Sequence, residues 1–311
     1  MNRSQIEYIL ALEKFRNFGL ASEHCNISQS TLSAMIAKYE DQIGFSIFNR
    51  KTRPVGITER GMKILDVLKR IDQEFGLLDE KVNEIKDLED GIIRLACIPT
   101  VAPYLYPQIL NILAREFEQV HFVVHEMTTE QIIQQTVEGA IDLGIVSTPL
   151  DHTDLLEQDL YEEAFFIYDP SNQDQSKNYK ISDIDLKRLW LLEEGHCLRN
   201  QIGKICDLKQ QSQLKGNLSY NCGSISTLVR MVNKNKGITL LPAMAVNQNT
   251  SIKKKSIFSI YGSTPLRKIG LVYHKSFVRN RLKDKIALLI QEKVKGTSVS
   301  NKKNSYYLDP L

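Results

Sequence analysis

Residues 28–43 read SQSTLSAMIAKYEDQI, and whether this is a recognition helix or an ordinary amphipathic one decides what kind of molecule the chain is. Leu32, Ile36, Tyr39 and Ile43 recur at the spacing that lays one apolar stripe along a helix. Ser28 or Ser30 suits the N-cap, because a short hydroxyl side chain can accept from an orphaned first-turn amide. Upstream, SQIEYILALEKF (4–15) and LASEHCN (20–26) carry helix patterns, so the second and third helices, with their tight turn, form a helix-turn-helix. Downstream, FNRKTRPVGITERG (48–61) is basic, contains Pro54 and Gly56, and suits a β-hairpin wing. Ser28, Gln29, Ser30, Thr31 and Ser33 would then face base edges and phosphates, since recognition helices read the major groove with their N-terminal residues. Arg50, Lys51 and Arg53 would meet the flanking DNA backbone and supply the salt-dependent part of the affinity. The competing reading is a solvated helix start followed by a basic loop.

From Thr58 to Leu88 the pattern changes. Ile64, Leu68, Ile71, Phe75, Leu78, Val82 and Ile85 alternate four and three apart, a heptad seam behind a Thr58 cap. A helix of ~30 residues is ~45 Å long, and one apolar stripe on it needs a partner. A second copy of the chain is the simplest partner, giving at least a homodimer; the alternative is a helix packed on its own domain. After residue 90, GIIRLACI, APYLYPQILNILAREFE, VHFVVHEM, TEQIIQQTVEG and IDLGIVST alternate strand and helix, a βαβαβ pattern. AFFIYD and RLWLLEEG read as further strands. STLVRMVNKNKG (helix), ITLLPAMAV and KIGLVYHK (strands) and RLKDKIALLIQEKV (helix) complete two α/β lobes, with ligand space at the strand C-termini. The domains are therefore 1–60 (winged helix-turn-helix), 58–88 (dimerising linker helix), 91–295 (two-lobed sensing domain) and 296–311, a polar tail expected to be disordered or loosely packed.

The composition narrows the class. With a net charge of only +3, nucleic-acid binding has to come from a local basic patch rather than from the whole molecule. No apolar run is long enough for a bilayer span and the polar start is no signal peptide, so a cytoplasmic protein without membrane contact is expected. Five cysteines, an odd number with no C-x-x-C, fit neither a secreted disulfide framework nor a common zinc site. No metal or cofactor is expected. Cys25, Cys97 and Cys222 read as structural.

SQSTLS in the third helix and ITERG after the wing resemble the LysR-type transcriptional regulators, over essentially the whole chain. That resemblance implies a winged helix-turn-helix, a dimerising linker helix and a two-lobed effector domain like a periplasmic binding protein. It also implies a double-stranded DNA operator, a dimer of dimers, and RNA polymerase as a further candidate partner. Ser30 departs from the family's usual proline. IPTVAPYLYP, LLEEGHCLRNQIGKIC, GITLLPAMAV and RKIGLVY further resemble the peroxide-sensing OxyR branch, the discriminating match being two cysteines with eight residues between them.

Thiolate is the nucleophile towards peroxide. A helix start at Cys197, with His196 and Arg199 beside it, would favour the thiolate. Hydrogen peroxide would then give a sulfenic acid at Cys197 that condenses with Cys206 to a disulfide. If residues 197–206 are helical, their Cα atoms stand ~13 Å apart. A disulfide needs about 7 Å or less, so the bond would require the segment to unwind. The alternative is two buried apolar residues, a common fate of free cysteine. The resemblance also implies that Thr100 and Thr129 position peroxide and that Arg267 favours the thiolate; the competing role for both threonines is to cap the helices that follow. Asn200 and Ser219 stand where the branch usually has aspartate and histidine. A LysR-type regulator answering to a small organic effector remains open, and a thiol peroxidase is the alternative from another class. The expectation is a regulator, not an enzyme.

Overall fold

The computed structural model describes residues 2–85, 90–172, 174, 179–193, 197–206, 222–295 and 305–310. The chain forms two compact units, Met1–Leu88 and Glu89–Leu311, each with its own apolar core.

In the first unit, α1 (Arg3–Phe15) starts at Asn2, whose side chain and Gln5 satisfy each other's backbone amides in a capping box. Asn17 caps α2 (Phe18–His24). Ser28 caps α3 (Gln29–Ile43) by accepting from the Thr31 amide at 3.1 Å, so Ser30 sits inside the first turn. Ile6, Ile9, Leu12, Leu32 and Ile36 fill the space between the three helices. Buried Glu40 accepts from the amides of Ile47 (2.7 Å) and Phe48 (3.0 Å) and so fixes the chain entering the wing. The wing is the antiparallel pair β1 (Phe48–Asn49) and β2 (Gly56–Ile57).

Thr58 then accepts from the Gly61 amide at 2.9 Å and opens α4 (Glu59–Ile85). A Cβ on Gly61 would lie 2.2 Å from the Ile47 carbonyl oxygen, so only glycine lets α4 begin this close to the wing. The apolar seam of α4 divides between the two readings of the sequence. Leu68 is buried in the unit's own core with Ile64 and Phe75 packed against it, whereas Ile71, Leu78 and Val82 are 37%, 58% and 39% exposed.

The second unit is a mixed sheet in the order β4-β3-β5-β9-β6-β7, with β8 on β6 and β10 on β9. Its first lobe follows the βαβαβ pattern: β3 (Gly91–Cys97), α5 (Ala102–Glu116), β4 (Val120–Glu126), α6 (Thr129–Val137) and β5 (Leu143–Thr148). β3 pairs in parallel with both β4 and β5. Gly144 admits α6 against the sheet, since a Cβ there would meet Ile132 at 2.4 Å. The long strands β6 (Leu155–Tyr168) and β9 (Thr264–His274) run antiparallel through both lobes. α7 (Cys197–Ile205), α8 (Ile225–Asn235), β7 (Thr239–Pro242), α9 (Ala243–Gln248) and β8 (Ile257–Phe258) build the second lobe, and α10 (Asn280–Val294) packs back on β6 and α5.

Three expectations are corrected here. RLWLLEEG is no strand in its described part: it makes one isolated bridge, Leu189 to Ile238, and Glu193 then donates to the Cys222 carbonyl. ITLLPAMAV is a strand only to Pro242, after which the chain turns helical. The tail is not loose throughout: β10 (Ser305–Tyr307) pairs in parallel with Thr264–Leu266, and Leu308 is buried.

If a second copy covers the outer α4 seam, Leu78→Lys should weaken dimerisation while leaving each unit folded. Burying a leucine contributes about 1.5–3 kcal/mol, so sedimentation should report a dimer dissociation constant raised roughly tenfold or more.

Candidate functional site

The thiol site is assembled from both lobes. Strand β3 ends near Thr100, α6 supplies Thr129 from its first turn, β9 supplies Arg267, and α7 opens on Cys197. Arg267 is wholly buried. Its Nε donates to Glu163 Oε1 at 2.8 Å, its Nη2 lies 2.6 Å from the same oxygen, and its Nη1 donates to Thr100 Oγ1 at 3.1 Å. Glu163, equally buried, accepts from the Met244 amide through its other oxygen at 3.1 Å. The arginine thus ties both lobes together and keeps a fixed positive charge in the interior.

The threonines play different parts. Thr100 is no cap, because α5 starts without a side-chain cap; its oxygen is an acceptor for Arg267. Thr128, not Thr129, caps α6. This leaves the buried Thr129 hydroxyl without a hydrogen-bond partner of normal geometry among the described residues, although it lies near enough to the Cys197 sulfur to favour its thiolate. An unpaired buried hydroxyl is costly unless a ligand or water satisfies it. It borders a cavity of about 560 Å³ whose wall includes Ile133, His152, Cys197, Asn200 and Pro310.

Burial pushes the Cys197 thiol up, and this outweighs the opposing effects of Arg267, the Thr129 hydroxyl and the local backbone amides. The helix start and Arg199 were expected to favour the thiolate. Arg199 instead donates to the Leu192 carbonyl at 3.1 Å, and the cation that acts on the sulfur is Arg267. Burial likewise pushes Cys206 up to about 11. Both are free thiols. The helix runs unbroken to the Cys206 amide, which donates to Ile202 at 2.9 Å. At 1.5 Å rise per residue their Cα atoms are ~13 Å apart, beyond disulfide reach. Leu198 and Ile202 are 0% exposed, so unwinding α7 removes them from the core. His196 and Ser219 lie outside the described residues.

The sequence reading missed Glu163, His152, Gln201 and the tail. A lone glutamate in a strand and a histidine in a loop carry no pattern. Buried Gln201 bonds to Ser147 Oγ at 3.0 Å and to the Leu308 carbonyl at 3.3 Å, contacts that exist only in the folded chain. Among the described residues no group of three or more His, Cys, Asp or Glu could hold a metal ion, and no helix is long and apolar enough to cross a membrane.

On the first unit, Ser28, Gln29, Ser30 and Thr31 are exposed at the start of α3. The Ser28 hydroxyl is engaged as the cap and lies 2.9 Å from Ser30 Oγ and 2.7 Å from Thr31 Oγ1. Arg50 donates to Ser33 Oγ at 3.1 Å and pairs with Glu40 at 2.8 Å, so it also braces the wing against α3. Lys51 and Arg53 are exposed on the wing.

Residues 4–62 match the family described as bacterial regulatory helix-turn-helix protein, lysR family, and residues 86–293 match the LysR substrate binding domain. The chain belongs to the LysR family. Among its relatives is a hydrogen peroxide-inducible genes activator of Haemophilus influenzae, 31% identical over 95% of this chain and 98% of the relative. The DNA-binding transcriptional dual regulator OxyR of Escherichia coli is 30% identical over 95% and 97%. Among solved structures, a full-length OxyR cysteine variant from Pseudomonas aeruginosa is similar at a TM-score of 0.71, with 25% identity, covering 94% of this chain and 98% of that one. A hydrogen-peroxide-bound OxyR mutant from Corynebacterium glutamicum is similar at 0.61, with 25% identity and coverage of 95% and 93%. This LysR-family chain is thus a DNA-binding regulator with a winged helix-turn-helix and a two-lobed effector domain.

Two outcomes follow from the geometry. Because burial raises the Cys197 thiol, its alkylation rate should keep rising with pH beyond the usual thiol value of about 8.5. Arg267→Met should move that profile to higher pH. Glu163→Gln should move it lower by freeing the arginine's field, while destabilising the domain by about 3–5 kcal/mol through a buried unpaired charge. On the first unit, Lys51→Ala and Arg53→Ala should each reduce the log–log salt slope of DNA binding by about 1, with little change in sequence preference.

Proposed function

We propose that this LysR-family regulator senses hydrogen peroxide through Cys197 and Cys206. The observation that carries the reading is the placement of the two thiols at opposite ends of one short helix. Cys197 is buried beside Arg267, and the unpaired Thr129 hydroxyl borders the same cavity. The names of the relatives and the peroxide-bound structural neighbour support it.

The Cys197 thiolate attacks one peroxide oxygen and the O–O bond breaks, giving the sulfenic acid and hydroxide, which takes up a proton to become water. The Cys206 thiol gives up its proton, and its thiolate attacks the sulfenic sulfur and displaces hydroxide, which takes up that proton to become a second water. Two thiols lose two electrons in all, and one peroxide gains them. Thr129 and Thr100 place the peroxide, Arg267 stabilises negative charge on sulfur, and His196 is a further candidate donor. Cys197 reacts through its minority thiolate, so sensitivity is limited by burial. One oxidation per event is enough, which distinguishes a sensor from a peroxidase that turns over.

Disulfide formation unwinds α7 and rearranges the sensing domain. In this reading the change passes to a dimer of dimers on the operator, with Gln29, Ser30, Thr31 and the wing facing DNA, and from there to RNA polymerase. The setting is the cytoplasm, where thiols rest reduced. The cavity also favours a second reading: about 560 Å³ is far more than one peroxide fills, and it suits a small organic effector.

Footprinting on operator DNA with and without peroxide separates the two. Cys197→Ser should abolish the peroxide response. Cys206→Ser should retain sulfenic acid, trappable with dimedone, yet fail to form the disulfide. A response that survives Cys197→Ser would favour the organic effector.

A further inference from the structure

The C-terminal residues meet α7 in a way the peroxide chemistry does not require. Three consecutive carbonyls face donors on one side of that helix. Gln201 Nε2 donates to the Leu308 carbonyl at 3.3 Å, Lys204 Nζ to that of Asp309 at 3.3 Å, and Asn200 Nδ2 to that of Pro310 at 3.5 Å. Asn200 and Lys204 stand four apart and therefore share a helix face. The amide at position 200 matters, because a carboxylate there would have no hydrogen to donate to a carbonyl.

The sheet supplies the other half of the site. β5 pairs with β9 only from Val272 to Lys268, so the same edge of β9 is left open from Leu266 towards Thr264. β10 fills that edge in parallel register, and the Leu308 amide then donates to the Leu266 carbonyl at 2.9 Å. Leu308 is 5% exposed, Tyr307 donates to Glu162 at 2.8 Å, and Pro310 joins the wall of the Cys197 cavity. Main-chain pairing on a sheet edge plus side-chain clamps is how extended peptides are bound.

We propose that the polar face of α7 and the open edge of β9 form a docking site for the chain's own C-terminal segment, and that only helical, reduced α7 holds it. The exclusivity rests on the peroxide reading above. A Cys197–Cys206 bond requires α7 to unwind, and unwinding separates Asn200, Gln201 and Lys204, whose spacing matches the three carbonyls. By linkage, a segment that binds the reduced form favours that form, and its removal favours the disulfide. The tail is a latch that sets how readily the switch is thrown.

The test uses the full-length protein with carboxypeptidase Y, followed by mass spectrometry, before and after oxidation with one equivalent of peroxide. It also uses titration against mixtures of reduced and oxidised dithiothreitol, in which the Cys197–Cys206 disulfide gains two electrons and two protons as dithiothreitol becomes its cyclic disulfide. Reduced protein should resist trimming at 305–310, and oxidised protein should lose those residues. A chain ending at residue 304, and separately Leu308→Asp, should hold the disulfide at a reduced-to-oxidised dithiothreitol ratio higher by about fivefold or more. A disulfide that forms while the tail stays equally protected, or midpoints that do not move in either variant, would overturn the latch and leave the sensor intact. No Cys197–Cys206 disulfide in the full-length protein would overturn the sensor mechanism and the redox dependence together.

Discussion

The rise of an α-helix keeps the two thiols apart. Cys197 and Cys206 bracket α7, and while its hydrogen bonds hold, their Cα atoms are ~13 Å apart along the helix. What stabilises α7 therefore opposes the disulfide. Leu198 and Ile202 are wholly buried, and fully burying side chains of this size contributes about 1.5–3 kcal/mol each. Gln201 links the helix to the end of β5 through Ser147, and the three C-terminal carbonyls occupy its polar face. In the proposed mechanism, oxidation has to outweigh all of these contacts to join the two thiols.

The second constraint is electrostatic. A buried guanidinium would be untenable alone, and Glu163 makes Arg267 tolerable by pairing with it. The pairing also limits how strongly the arginine can favour the Cys197 thiolate, and burial prevails. The site holds a protected thiol beside a charge that would stabilise it once ionised. Thr128 takes the capping role, so the Thr129 hydroxyl lies buried near the Cys197 sulfur with no hydrogen bond of normal geometry among the described residues, and in the proposed reading it meets the peroxide.

Much of this was legible in the sequence because it follows period and spacing. The three helices of the first unit, the wing, the α4 seam and the βαβαβ lobe all carry local patterns that their environment does not override. The sequence failed where tertiary contacts decide. RLWLLEEG has strand composition, but it meets the chain entering β7 only around Leu189, through the Arg188 carbonyl and the Trp190 amide to Ile238, and the Glu193 amide then turns to the Cys222 carbonyl. SYYLDP is too short and polar to read as structure, and becomes a strand only because β9 leaves an edge open. Glu163 could not be foreseen, since its partner lies more than a hundred residues away on β9. Arg199 was the obvious cation by position and the wrong one, because it turns to the Leu192 carbonyl.

The claim that the switch is the unwinding of α7 is most directly tested by amide hydrogen exchange over residues 197–206 in the reduced protein and in protein carrying a mapped Cys197–Cys206 disulfide. Slow exchange when reduced and fast exchange when oxidised is the predicted result. Equal protection in the two states, with the disulfide present, would contradict it.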